Sequence, residues 1–194
     1  MMTDHMLFLT YTPREDSERR GYHAWLRSTD TPFFNSVPGI AHYANWKVIA
    51  RADGGAPPWD YFDFLHIEDG KTVEDIWSNE RLGKFAANWT KMWGRDPDNP
   101  DLSVNYQIHE ARRVCATKGP LTDFVALVLG PDKSRLPGEA AIWQVTNAIL
   151  GSAVRGEYAI VNLPAGREAA DPAWGQAVLL AECLAKPDAF ITLE

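Results

Sequence analysis

Five histidines are spread along the chain, and two of them sit where proton-transfer chemistry is easily built. His66 lies within residues 60–68 and His109 within 102–110, two stretches that alternate with the period of a strand. Imidazole titrates near neutral pH, and an amide or phenol beside it can orient a carbonyl or stabilise a developing oxyanion. Such groups are at hand in Tyr43 and Asn45 of the stretch 40–49, and in Asn105 and Gln107 close to His109. One carboxylate, Asp30, precedes Thr31 and Pro32, where it is either a general base or the cap of a turn, capping being the commoner role. Together these groups suit enolisation, ring closure, deformylation or dehydration of a small aromatic compound. The plainer alternative is a wet strand face, with His109 at the surface. His23 fits a packed or exposed helix position, and the side of His42 depends on the parity of one strand.

Residues 6–12 read as an apolar strand ended by Pro13, and residues 14–17 as the polar start of a helix carrying Tyr22, Trp25 and Leu26. That helix cannot pass Pro38-Gly39. Strand 40–49 follows, then a loop at 53–58 and strand 60–68. Thr72 and Asp75 make a capping box with Asp in place of Glu, and Val73, Ile76, Trp77, Phe85, Trp89 and Met92 recur at helical spacing as far as Trp93. Strand 102–110 closes this half. Sorting by period two sends Leu65, Ile67, Tyr106 and Ile108 to the helices and leaves Phe62, Phe64, His66, Asn105, Gln107 and His109 on the other face. Tyr43 and Asn45 are assigned to that same concavity, with His42 and Trp46 opposite.

After a linker at 116–120 the order restarts. "DFVALVLGP" parallels "MLFLTYTP", residues 138–150 read as a helix closed by Gly151, and Tyr158 and Trp174 stand 115 residues after Tyr43 and Trp59. Ten residues after Leu184 are too few for a second helix and strand, so 1–115 is expected as a complete unit carrying the pocket and 116–194 as a truncated, mainly structural one. The second copy has Ala181 where the first has His66, which places the site in the first unit.

A formal charge of −7 gives no basic footprint for nucleic acid or anionic lipid, and no apolar run is long enough to span a membrane. Asp4 stands where a signal peptide would be basic, and the apolar run at 6–9 is too short for one, so a cytoplasmic location is expected. Cys115 and Cys183 are far apart, with no spacing for zinc; phosphate-loop, nucleophile-elbow and His-x-x-x-His motifs are also lacking.

A helix followed by Asp30-Thr-Pro32, then Val37-Pro-Gly-Ile40 and a strand with Tyr43, resembles the dimeric α+β barrel superfamily of ferredoxin-like domains, and within it the EthD-type and RedY/HapK-type proteins. The resemblance covers about residues 6–113, and Asp30 stands where such families commonly carry a histidine. It implies an α+β fold: a ferredoxin-like βαββαβ unit and a truncated βαββ unit pairing into a barrel within one chain or between two, with a homodimer expected from the exposed edge of the short unit. It also implies a pocket with Ser28, Thr29 and Asp30 at its rim and Phe33 and Phe34 reaching inward. The expected activity is that of a cofactor-independent lyase, cyclase or isomerase. His66 would transfer the proton, with His109 or Asp30 as second acid or base, while Tyr43, Asn45, Asn105, Gln107, Phe33, Phe34 and Phe64 bind a small aromatic or hydrophobic molecule. The alternatives are a binding or accessory protein for such a molecule and a cofactor-free monooxygenase.

Overall fold

The computed structural model describes residues 4–95, 106–115, 122–151, 154–164 and 170–186. The expected loop at 96–100, the linker at 116–120 and Asn105 lie outside the described residues. Strands β1 (His5–Tyr11), β2 (Ile40–Arg51), β3 (Tyr61–Ile67) and β4 (Tyr106–Cys115) come from the first half, and β5 (Phe124–Pro131), β6 (Ala141–Leu150), β7 (Glu157–Asn162) and β8 (Gly175–Ala185) from the second. They close one antiparallel barrel in the order β1-β3-β2-β8-β5-β7-β6-β4.

This barrel corrects the expected fold class of one complete and one truncated ferredoxin-like unit. The decisive segment is β6, expected as a helix over 138–150. Ile142, Val145, Thr146 and Ile149 are β-branched, and the segment pairs with β4 on one side and β7 on the other. Among the described residues the second half therefore has no α-helix, only the 3₁₀ turn Pro172–Trp174. Strand β8 pairs with β2 as well as β5, so the edge expected to call for a second chain is covered within the barrel.

Residues directly opposite in an antiparallel pair share a face, so the register decides what each side carries. His42, Ala44 and Trp46 lie opposite His66, Phe64 and Phe62. All six face the barrel interior, where Phe8, Trp46, Phe62, Phe64, Trp143 and Tyr158 form a filled aromatic core. Tyr43 and Asn45 lie opposite Leu65 and Asp63, on the outer face. The expected parity of this strand is thus reversed, and a register shift between Ile40 and His42 contributes to the irregularity that hides it.

That outer face is covered by two helical segments. The first runs through α1 (Tyr22–Trp25), a π-helical turn (Leu26–Asp30) and α2 (Thr31–Asn35). Pro32 has no N–H to offer the carbonyl one turn back, and a widened turn immediately before it accommodates the missing bond. The second segment, expected as one helix, breaks at Ser78 and Asn79 into α3 (Val73–Trp77) and α4 (Glu80–Trp93). The Thr72–Asp75 capping box is present, and Asn79 caps α4 by accepting from the Arg81 N–H. Gly39, at φ +93°, turns the chain into β2, a conformation that disfavours a side chain.

Burial holds His66 down to about 3 and His42 to about 4, and it lowers His109 as well. A histidine depressed on folding contributes stability fully above its unfolded value near 6.5, and that contribution is lost as pH falls toward the folded value. The histidine contribution to stability should therefore fall between about pH 6.5 and 3, His66 supplying at most on the order of 5 kcal/mol of it. Denaturant unfolding of His66→Phe across this range should show a shallower acid limb than wild type; an unchanged limb would contradict the assignment.

Candidate functional site

The polar centre of the outer face is built from four side chains on three elements. Asp30 ends the π turn, Tyr43 and Asn45 project from β2, and Asp63 projects from the middle of β3. Tyr43 and Asn45 are 1% and 0% exposed, Asp30 and Asp63 3% and 2%. The α2 segment is latched to β2 by Asn35, whose amide donates to the carbonyls of Thr31 and Tyr43 and accepts from the Tyr43 N–H.

The Tyr43 hydroxyl lies 2.9 Å from Asp30 Oδ2 and 2.7 Å from Asp63 Oδ2. Asn45 Nδ2 lies 3.0 Å from Asp30 Oδ2, 2.9 Å from Asp63 Oδ1 and 3.0 Å from the Tyr43 hydroxyl. Thr31 donates to Asn45 Oδ1 at 2.6 Å, which fixes the amide with its hydrogens toward the acids. Tyr11 completes the set, donating to Asp63 Oδ1 at 3.1 Å.

Tyr43 has one hydroxyl hydrogen and two carboxylate neighbours, so satisfying both contacts requires a hydrogen from one of the acids. The electrostatics agree. Burial pushes Asp30 up to about 7 against the pull of its bonds from Asn45 and Tyr43. Asp63 rises well above the usual carboxylate range, through burial first and the Asp30 charge second. Among the described residues no Lys, Arg or His lines the cavity or offsets these charges. The two acids thus titrate as a pair sharing a proton through neutral pH.

Beside the pair is a cavity of about 380 Å³ between the sheet and the helices. Aromatic side chains, among them Tyr11, Phe34, Tyr43, Trp77, Trp89 and Tyr106, line much of it, with Gly83 and Ala86 of α4 leaving room. Phe34 stacks on Tyr43 with ring centroids 4.2 Å apart, and Tyr11 stacks on Tyr106 at 5.4 Å. Ile149 and Leu150 of β6 bring the second half of the chain to the same cavity.

Of the residues singled out from sequence, Asp30, Tyr43, Asn45 and Phe34 come together here. Asp30 belongs to the buried polar wall rather than to an exposed rim, and its side chain caps no helix. Ser28 and Thr29 are exposed, and Phe33 stacks on Phe85 at 3.8 Å. His66, His109 and Phe64 lie across the sheet, in the barrel interior. His66 packs against Trp143 at 5.6 Å, and His109 Nε2 accepts from the Val154 N–H at 3.3 Å. Gln107, at the start of β4, approaches Gly151 just after β6. Asp63 was missed, although it left a signal: a lone carboxylate in "YFDFLHI", a strand apolar on both faces, is costly unless the fold uses it.

Tyr43→Phe removes a donor that lowers both acids, so their apparent pKa values should rise. Carbon-13 titration of the aspartate carboxyls should show one group still protonated at pH 7 in the wild type and both transitions moved upward in the variant. Two ordinary transitions near pH 4 would contradict the shared proton.

Comparison with known proteins bears on the fold and on the first half of the chain. No curated protein matches it significantly. A crystal structure described as "putative monooxygenase from Lactobacillus acidophilus NCFM" is similar over 98% of this chain and 100% of that one, with a TM-score of 0.51 and 10% identity, a likeness of fold alone. The family described as REDY-like protein HapK matches residues 5–101, half of the chain and the half that supplies Asp30, Tyr43, Asn45 and Asp63. The chain belongs to the REDY-like HapK family.

Proposed function

We propose that the protein is an acid–base catalyst, a lyase, cyclase or isomerase, acting on a small flat aromatic compound held in the cavity beside Asp30 and Asp63. The observation that carries this reading is the pair of buried carboxylates bridged by the Tyr43 hydroxyl at the wall of an aromatic cavity. Within such a pair one carboxyl is an acid and the other a base at the same pH, which is what enolisation, ring closure and dehydration require.

Asp30, the more readily ionised partner, takes a proton from the substrate. Asp63, kept protonated by burial and by the charge of Asp30, delivers one to the carbonyl or departing oxygen. Turnover then leaves the pair with its proton on the opposite carboxyl. The Tyr43 hydroxyl, within 2.9 Å of both acids, returns it by accepting from one and donating to the other. Asn45 holds both groups in place and balances the charge left behind.

The test begins with native mass spectrometry after incubation with a panel of aromatic metabolites, to find a compound released with changed mass. With that compound, Asp30→Asn and Asp63→Asn should each lower kcat/KM by about 10²- to 10⁴-fold, and the wild-type pH profile should rise through about 7 and fall at higher pH. Wild-type turnover by either variant would overturn the assignment. A ligand bound but never converted would favour a sheltering role. Product that forms only with oxygen would favour the oxygenase reading.

A further inference from the structure

The composition of the cavity wall says what kind of compound the two acids recognise. Charge enters that wall only through Asp30 and Asp63, and among the described residues no cationic side chain lines it. Among the described residues both hydrogen bonds to the Asp30 carboxylate, from Tyr43 and Asn45, fall on Oδ2 and none on Oδ1, and Asp30 lines the cavity. The pair therefore offers a ligand a free acceptor oxygen and negative potential, while in the unliganded site its shared proton is directed at the Tyr43 oxygen.

We propose, building on the acid–base reading of this site, that its ligand is a flat aryl compound that presents a protonated planar nitrogen group, an amidinium or iminium, to Asp30 and Asp63. A planar N–H donor matches a carboxylate edge and satisfies the open oxygen. The rings of Tyr11, Tyr43, Trp89 and Tyr106, which line the cavity, add attraction for a cation wherever it meets a ring face in this desolvated space. An aryl carboxylate or phosphate meets repulsion with no donor to offset its lost hydration, and a neutral aryl ring leaves the acceptor unpaired.

Binding such a cation displaces the shared proton. The other titratable groups facing the pair are Tyr11 from β1, Tyr22 from α1, Tyr43 from β2 and Tyr106 from β4, all phenols pushed above their ordinary range and neutral at pH 7. The segments α3, α4 and β6 bring only uncharged side chains to the cavity. Any proton released on binding near neutrality comes from the acids.

The test uses three probes of one shape: benzamidine, benzamide and benzoate, titrated calorimetrically into the wild-type protein at pH 7 in two buffers of different ionisation enthalpy. Benzamidine should bind at least tenfold more tightly than benzamide, benzoate should bind more weakly than either, and benzamidine alone should release protons. In Asp30→Asn or Asp63→Asn the tenfold preference should shrink while benzamide binding persists. The wild-type proton count tests the proposal even if a variant fails to fold. Equal affinities, a preference for benzoate, no proton release, or no benzamidine binding at millimolar concentration would each overturn it. Turnover plays no part here: a cavity that selects benzamidine yet converts no compound defeats only the catalytic reading, and conversion of an anionic substrate with benzamidine excluded defeats only this one.

Discussion

Two carboxylates buried within reach of one phenol, with no cation beside them among the described residues, form the constraint around which the outer face of this barrel is arranged. Each acid alone would carry a desolvation cost of several kcal/mol if ionised. Sharing a proton reduces the charge, and donors from Tyr43, Asn45 and Tyr11 stabilise what remains. Thr31 and Asn35 direct their side-chain hydrogen bonds elsewhere than to the carboxylates, yet they set the Asn45 amide and the α2–β2 spacing on which the network relies.

The same network places the protein between two opposed pH dependences. Carboxyls raised on folding contribute stability fully below their unfolded values near 4, and that contribution is lost as pH rises through the folded values, about 7 for Asp30. The buried histidines act in the other direction, losing their contribution as pH falls below about 6.5. The sheet separates the two sets: acids on the helix side, histidines in the barrel. Barrel closure gives that separation its rigidity, because a register slip by one residue would exchange the two faces of β2 and bring Tyr43 and Asn45 inside.

Much of this was legible in the residue pattern, and the gaps have physical causes. The strands at 6–12, 40–49 and 60–68, the capping box at Thr72 and the turn at Pro38-Gly39 follow local rules that tertiary structure did not override. The segment at 138–150 reads as a helix because its Ala residues, Glu139 and Gln144 suit one, while its pairing with β4 and β7 makes it a strand. Asp30, Tyr43 and Asn45 stood out as chemistry-bearing residues, but the face they share depended on the pairing of β2 with β3, which no single strand reveals. Histidine drew attention as the side chain that titrates near neutrality, yet burial took His66 far below that range, lowered His109 as well, and moved the acids upward.

The position of one hydrogen tests the shared-proton pair most directly. Neutron diffraction from perdeuterated crystals grown at pH 7 would locate it. A deuteron on Asp63 or Asp30 pointing to the Tyr43 oxygen, with the Tyr43 deuteron directed at the other carboxylate, is the expected result. Two bare carboxylates, neutralised by a bound cation or by ordered water donors, would contradict it.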